Sequence, residues 1–261
     1  MNRTLITVDP EQFPAAFHSL LTGTQVYDSS CSPEARVYFL DRAEGLYLKT
    51  AAKGTLAKEA ALTAFYHRKG LATEVLAYES DHTDWMLTSA VSGEDCIHQQ
   101  YMDDPKRLCD TTAQLLRMLH DTDHAGCPVS DRVSDYIATV TENHRLGKWD
   151  ESLFPDNWGY RSVEEAWAVV QEFSPVLKSD TLLHGDYCLP NIMLDNWKFS
   201  AFIDLGNGGV GDRHIDLFWG TWSLFFNLKT DAYRDRFLDA YGRDRFEPEI
   251  LRSIGAFEVF G

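Results

Sequence analysis

The sequence predicts an α+β fold in two lobes, a small N-terminal antiparallel sheet lobe and a larger, mainly helical C-terminal lobe. Short apolar or alternating runs bounded by turn residues fill the first third of the chain. Longer segments with helical periodicity follow them. Ser92-Gly93 interrupts the pattern between the two regions. We therefore expect one lobe over residues 1–91 and a second over residues 92–261, with a hinge at the interruption.

The first lobe is predicted to contain a small sheet and one helix. The strand-like runs are residues 36–40, 46–50, 74–78 and 85–89. The first two flank a loop that contains Gly45, which is typical of a hairpin. A helix is expected over residues 57–69, because alanines recur there at helical spacing, Glu59 lies in the first turn and Gly70 provides a stop.

Long helices are predicted for the second lobe, most clearly over residues 105–121. The apolar stripe of that helix, which we assign to the core, consists of Leu108, Thr112, Leu115, Leu116 and Leu119. Three short apolar runs interrupt the helical region, at residues 181–183, 192–194 and 199–203. Each run adjoins polar residues, so we expect the chemistry at these junctions.

The composition is that of a globular, enzyme-sized protein with a strong negative charge. The chain has 261 residues, 44% of them hydrophobic, and a formal net charge of -16. This charge disfavours binding to nucleic-acid phosphates and attracts cationic ligands, although it can also serve solubility alone. No run is long and apolar enough to span a membrane, and the start lacks the apolar stretch of a signal peptide. The five cysteines contain no C-x-x-C pair, so we expect a cytoplasmic protein without a disulfide framework.

A carboxylate and an amide stand five positions apart in the segment His184-Gly185-Asp186-Tyr187-Cys188-Leu189-Pro190-Asn191. Phosphoryl transfer uses such a pair, because an Asp orients the acceptor hydroxyl and takes its proton while an Asn ligates a Mg²⁺ ion on the nucleotide phosphates. The spacing matches the catalytic loop of protein kinases, H-R-D-L-x-x-x-N, with glycine in the place of arginine. The sequence therefore predicts Asp186 as the catalytic residue and Asn191 as a metal ligand.

A second acidic motif, Phe202-Ile203-Asp204-Leu205-Gly206, follows 18 residues after the catalytic aspartate. Its aspartate comes after an apolar strand and before a glycine, like the second magnesium ligand of protein kinases. With both motifs, and with Gly211-Asp212-Arg213-x-x-Asp216 beyond them, the chain resembles the aminoglycoside 3'-phosphotransferases over nearly its whole length. The resemblance implies a protein-kinase-like fold and makes Asp204 the second ligand of Mg²⁺.

The same resemblance implies an ATP site in the first lobe. Members of that family hold the α- and β-phosphates with a strand lysine that pairs with a glutamate of the next helix, and Lys49 and Glu59 occupy those positions. A serine-containing loop precedes the first hairpin strand, where Ser32 would face the phosphates. Backbone groups of Ser89 and Val91 would bind the adenine.

The acceptors of that family are polycations, so the resemblance also implies several carboxylates around the accepting hydroxyl. Glu258 matches a glutamate near the family's C-terminus, and the terminal carboxylate of Gly261 would add to it. A loop of the helical lobe supplies further acids in the family, and this chain has Asp150, Glu151 and Asp156 there.

Three positions depart from the family pattern. Asn207 and Trp222 stand where the family has arginines, and Phe257 stands where it has an acid before the terminal glutamate. These departures leave the core residues of phosphoryl transfer in place, but the range of aminoglycosides stays open.

We therefore predict a 3'-type, kanamycin kinase-like O-phosphotransferase that uses ATP and Mg²⁺ to phosphorylate an aminoglycoside and so confers resistance. It is expected to act as a monomer or weak homodimer without nucleic-acid or membrane partners. Two alternatives remain open, a kinase of another small hydroxyl metabolite of the choline, homoserine or sugar type, and a nucleotide-binding pseudokinase. A zinc hydrolase built on His184 or His214 fits least, because the histidines lack ligand spacing.

Overall fold

The computed structural model describes residues 3–43, 45–153 and 160–261. Its contacts divide the chain into two compact units, one comprising Met1–His98 and Ile192–Gly206 and the other Gln99–Asn191 and Asn207–Gly261. The contacts thus group residues 92–98 and a later segment with the sheet. The hinge at residues 92 and 93 stays a prediction.

The first unit is built on an antiparallel sheet of six described strands in the order β1-β2-β3-β4-β6-β5. The strands are β1 Thr4–Ile6, β2 Gln25–Asp28, β3 Ala35–Asp41, β4 Leu46–Ala52, β5 Val75–Ser80 and β6 Thr83–Ser89. The four predicted runs and the hairpin are confirmed as β3 to β6. The strands β1 and β2 were not predicted, because their three and four residues are too short to show a period.

Helices cover one part of this sheet and complete its core. Helix α1 spans His18–Leu21 and was not predicted. Helix α2 spans Ala57–Arg68, and its end differs from the prediction by one residue. Phe17 and Leu21 pack with Leu40 and Leu48 of the central strands in one buried cluster. One face of the sheet is thus buried against the segment that contains Phe17 and Leu21, and in β3 three successive residues, Tyr38, Phe39 and Leu40, are buried, so that both faces of this strand are covered.

A second, three-stranded sheet in the first unit explains why residues 192–206 belong to it. Strand β9, Ile192–Asp195, pairs with β10, Lys198–Phe202, and with β7, Glu94–Asp95. Gly93 has φ +93°, and a Cβ atom there would lie 2.0 Å from the Leu194 carbonyl oxygen. The glycine at the interruption therefore permits a close approach of two backbones, which no other residue allows.

The second unit contains seven helices and two short strands among its described residues. They are α3 Gln99–Met102, α4 Pro105–His120, α5 Arg132–Arg145, α6 Val163–Phe173, α7 Arg213–Leu228, α8 Arg234–Tyr241, α9 Pro248–Glu258, β8 Thr181–Leu183 and β11 Gly209–Gly211. The predicted stripe of α4 is confirmed: Leu108, Thr112, Leu116 and Leu119 are buried, and Leu115 is half-buried. In the part of the chain that the structure describes, no helix combines the length and apolarity needed to cross a membrane.

Candidate active site

Three charged side chains of the first unit form one cluster. The Lys49 Nζ atom lies 2.8 and 2.9 Å from the two carboxylate oxygens of Glu59 and 2.9 Å from Oδ1 of Asp204. Lys49 comes from β4, Glu59 from the first turn of α2, and Asp204 from the chain just beyond β10. The lysine–glutamate pair that the family resemblance implies is present, and Asp204, 155 residues away in sequence, is its third member.

The cluster keeps its lysine charged. Burial lowers the pKa of Lys49, but the carboxylates of Asp204 and Glu59 outweigh burial, so the pKa is raised above its ordinary value. Burial also raises the pKa of Glu59, while the lysine beside it favours the ionised form. A cation fixed in this way can hold a further anion such as a phosphate oxygen.

Asp204 has a strained backbone and an accessible carboxylate. Its φ of +56° lies in the left-handed region that side-chain-bearing residues rarely adopt. Its side chain is 54% exposed although one oxygen contacts the lysine. Such strain costs free energy and is concentrated at functional sites in proteins. The conformation therefore supports Asp204 as a candidate functional residue whose backbone orients its carboxylate.

The predicted catalytic loop lies in the second unit, after β8. The Asn191 Nδ2 atom donates to Oδ2 of Asp186 at 2.9 Å and to its carbonyl oxygen at 3.0 Å. Asn191 ends a single 3-10 turn over Leu189–Asn191. This orientation fixes the Asp186 carboxylate and turns the amide oxygen of Asn191 away from it.

Asp216 fixes the backbone of this loop by hydrogen bonds. Its fully buried carboxylate accepts hydrogen bonds from the backbone N–H groups of His184 and Gly185, both at 2.7 Å. The His120 Nε2 atom lies 3.2 Å from the same carboxylate, and the other ring nitrogen of that histidine lies 2.8 Å from the Tyr241 hydroxyl. Sequence reasoning noticed Asp216 only as part of a motif and gave it no role. Its spacing of 30 residues from the catalytic aspartate carries no local signal.

Glu258, the expected acceptor-binding carboxylate, is the last residue of α9 and only 8% exposed. The Tyr136 hydroxyl donates to its Oε1 at 2.7 Å, and the Tyr136 ring stacks on Phe257. Burial raises the pKa of Glu258 to about 7, against hydrogen bonds from Tyr136 and Trp219 that favour the ionised carboxylate. The charge of Asp186 also raises this pKa.

The other predicted acceptor residues lie in different surroundings. Asp150 and Glu151 are exposed, and the Asp150 N–H donates to the Val259 carbonyl at 2.8 Å, which brings this loop to the end of α9. Gly261 is exposed, and its N–H lies 3.3 Å from the Glu258 carbonyl oxygen. Asp156 lies outside the described residues. The roles of these residues stay predictions.

The predicted nucleotide-binding loops are part of the first unit. Ser32 is exposed in the β2–β3 connection, where its side chain hydrogen-bonds the Glu34 carboxylate and lowers the pKa of that group. The Ser89 N–H donates to the Glu74 carbonyl at 3.1 Å, and Thr73 Oγ1 donates to the Ser89 carbonyl. The backbone of Ser89 therefore already has partners within the sheet. Adenine binding by Ser89 and Val91 stays a prediction.

The predicted donor set suits Mg²⁺ rather than a metal held by protein ligands alone. No group of three or more His, Cys, Asp or Glu side chains that could hold a metal ion occurs within residues 3–43, 45–153 and 160–261. Mg²⁺ needs few protein ligands, because waters and nucleotide phosphates complete its shell of oxygen atoms. The half-exposed carboxylate of Asp204 and the amide oxygen of Asn191 are oxygen donors of this kind.

Comparisons with known proteins agree on one family. The model of the APH family, described as the phosphotransferase enzyme family, matches residues 32–253. The chain is 48% identical over 257 residues to a probable aminoglycoside 3'-phosphotransferase of Lactococcus lactis, covering 98% of each sequence. It is 30% identical over 179 residues to an aminoglycoside 3'-phosphotransferase of Niallia circulans, covering 68% of each.

Solved structures show the same fold. An aminoglycoside-3'-phosphotransferase of type VIII superposes with a TM-score of 0.73 at 23% identity, and the match covers 96% of each chain. The aminoglycoside phosphotransferase APH(3'')-Id of Streptomyces rimosus, solved with ADP and streptomycin, gives a TM-score of 0.67 at 20% identity. That match covers 85% of this chain and 90% of the other. The two-lobed, kinase-like fold predicted from the sequence is thereby confirmed.

Proposed function

This chain belongs to the phosphotransferase enzyme family, and from that premise we propose that it transfers the γ-phosphoryl group of ATP to the 3'-hydroxyl of an aminoglycoside. The full-length similarity to the Lactococcus lactis relative, named as a probable 3'-phosphotransferase, supports the acceptor. The Streptomyces rimosus enzyme of the same fold, solved with ADP and streptomycin, supports a nucleotide and an aminoglycoside as the two substrates.

The observation that carries the proposal is the pairing of Lys49 with Glu59 and Asp204 at hydrogen-bond distance. A charged lysine in this position binds phosphate oxygens, and its two acidic neighbours keep it protonated and aimed. Asp204 and Asn191 are the proposed Mg²⁺ ligands, and the bound ion would neutralise charge on the phosphates. We assign Ser32, Ser89 and Val91 to contacts with ATP.

Asp186 is the proposed catalytic residue. Its carboxylate orients the acceptor hydroxyl and takes its proton as the new oxygen–phosphorus bond forms and the bond between the γ-phosphorus and the β,γ-bridging oxygen breaks. The hydrogen bond from Asn191 to the Asp186 carboxylate fixes its direction. Catalysis then depends mainly on positioning and on charge neutralisation.

The acceptor is held by carboxylates of the second unit. Ammonium groups of an aminoglycoside pair with Glu258 and with the exposed acids Asp150 and Glu151, and we assign Gly261 to the same site. We assign Asp156 to the same surface from its place in the sequence. Burial of Glu258 strengthens its attraction for a cation once it is ionised.

A coupled assay of ADP release across an acceptor panel tests the function. We expect turnover with kanamycin and neomycin, and none with an analogue that lacks the 3'-hydroxyl. Asp186→Ala should lower kcat by about 10²- to 10⁴-fold, the usual contribution of a general base, while ATP binding measured by calorimetry persists. Activity confined to choline, homoserine or a simple sugar would refute the acceptor, and full activity of Asp186→Ala would refute the catalytic assignment.

A further inference from the structure

Helix α7 carries a strip of three aromatic side chains. The strip consists of Trp219, Trp222 and Phe226, which are three and four residues apart and therefore share one helix face. The rings of Trp219 and Trp222 meet edge to face at 5.4 Å. The Trp222 ring stacks on Phe226 at 4.9 Å with 10° between the planes.

The strip is open to solvent although it is strongly apolar. Phe226 is 50% exposed, and both tryptophans are partly exposed. Single exposed apolar side chains are common on protein surfaces, whereas three contacting aromatic rings on one partly exposed helix face form a patch of the kind that marks binding surfaces.

The place of the strip in the second unit indicates what binds there. Helix α7, which carries the strip, packs against α9, whose last residue is Glu258. Ser223, the residue after Trp222, accepts a hydrogen bond at 2.9 Å from the Leu189 N–H of the loop that carries Asp186. The strip therefore lies on a helix that contacts both the helix of the proposed ammonium-binding carboxylate and the loop of the proposed catalytic residue, all within one unit.

The chemistry of the strip suits a cationic sugar. Indole rings attract ammonium groups through their π faces more strongly than other aromatic side chains do, and their flat surface packs against the apolar side of a ring. The molecule already shows such a contact, because the Lys229 ammonium lies 4.1 Å from the centroid of Phe226. The neighbours of Trp222 on both sides hold its ring in place, so little ordering cost remains when a ligand arrives.

We propose that the aromatic strip is part of the acceptor site and that Trp222 is a specificity-determining residue, with its ring binding an amino-sugar ring of the acceptor by stacking and cation–π attraction. The inference rests on the proposed function, since it assumes an amino-sugar acceptor. It assigns a binding role to a position where the sequence motif departs from its family. At this position a flat neutral ring replaces a positive charge that would repel an ammonium group, so the strip favours acceptors that place a cationic ring there.

A pair of substitutions separates aromatic binding from simple bulk. In Trp222→Leu an apolar side chain remains but the ring is lost, whereas Trp222→Phe keeps a ring. We expect Trp222→Leu to raise the KM for kanamycin by about five- to tenfold, the size of a cation–π contact that is partly shielded from solvent, and Trp222→Phe to stay within about twofold of the wild type. The KM for ATP should be the same in all three proteins. Equal KM values for kanamycin in the three proteins, or an equal rise in both variants, would overturn the proposal.

A binding measurement without turnover keeps this inference separate from the proposed function. Kanamycin titrated into the full chain without nucleotide should change the tryptophan fluorescence, and Trp222→Phe should lose most of that change. Trp197→Phe, which alters a tryptophan of the β9–β10 turn in the first unit, should retain it. A change that survives undiminished in Trp222→Phe would overturn the role assigned to Trp222. A change that depends on Trp222, in a protein that does not phosphorylate kanamycin, would support the strip and refute the proposed function.

Discussion

The pKa of Glu258 depends on its burial and on a hydrogen bond from Tyr136. Burial places the pKa of Glu258 at about 7, so near neutral pH the carboxyl is only partly ionised. The Tyr136 hydroxyl, 2.7 Å away, favours the ionised form, which is the form that attracts an ammonium group. If Glu258 binds the acceptor as proposed, Tyr136 is a positioning residue that acts through Glu258.

This arrangement predicts a pH dependence of acceptor binding. The KM for kanamycin should fall as the pH rises through about 7, because a group with a raised pKa gains its negative charge only above that pH. Tyr136→Phe should move the inflection to higher pH, because it removes a hydrogen bond that favours the ionised form, and Glu258→Gln should abolish it. Initial-rate profiles between about pH 6 and about pH 9 measure this effect. An inflection that persists in Glu258→Gln would belong to the amines of the acceptor instead.

The loop between β8 and β9 is fixed by close backbone packing at Gly185 and by hydrogen bonds to Asp216. Gly185 has φ +82°, and a Cβ atom at this position would lie 1.9 Å from the Asn207 carbonyl oxygen. Any adjustment of this backbone would also move the N–H groups of His184 and Gly185, which donate hydrogen bonds to Asp216. The glycine that replaces arginine in the kinase-like motif is therefore required by close backbone packing.

A matched pair of glycine substitutions tests this explanation. Gly126 has nearly the same φ, +78°, but nothing lies within 4 Å of a Cβ built there. Gly126→Ala should lose about 1 to 2 kcal/mol of stability through the left-handed backbone, measured by denaturant unfolding, and Gly185→Ala should lose more, because its Cβ would also meet the Asn207 carbonyl. Only Gly185→Ala should also lower kcat, by about tenfold or more, because the loop that carries Asp186 must shift. Equal activity of the two variants would show that the close approach is unimportant for catalysis.

The whole molecule carries a formal charge of -16, which acts on any polycationic substrate before it is bound. Raising the NaCl concentration from about 0.05 M to about 0.5 M shortens the Debye length severalfold, so this attraction is screened. We expect the KM for kanamycin to rise by roughly three- to tenfold over this range, with a smaller change in kcat. Thermal unfolding at both salt concentrations controls for stability. A flat KM would mean that the charge serves solubility alone.

Features encoded by neighbouring residues could be predicted from the sequence. The hairpin of β3 and β4, the helix α2 and the stripe of α4 follow from periods of two and about 3.6 residues. The segment that carries Asp186 and Asn191 likewise has a fixed spacing that phosphoryl transfer requires. These motifs, and a resemblance over nearly the whole chain, indicated a family, and the comparisons confirmed it.

Contacts between distant residues could only be decided by the tertiary structure. Residues 192–206 join the first unit because β9 pairs with Glu94–Asp95, and the short strands β1 and β2 extend the sheet by pairing, not by pattern. Tyr136 reaches Glu258 across 122 residues, and Asp216 reaches the catalytic loop across more than 30. Such hydrogen bonds produce no repeating pattern in the sequence, because each one depends on a single pair of residues that are far apart along the chain. The sequence by itself therefore determined the local elements and the core reactive groups, whereas folding decided which residues support them.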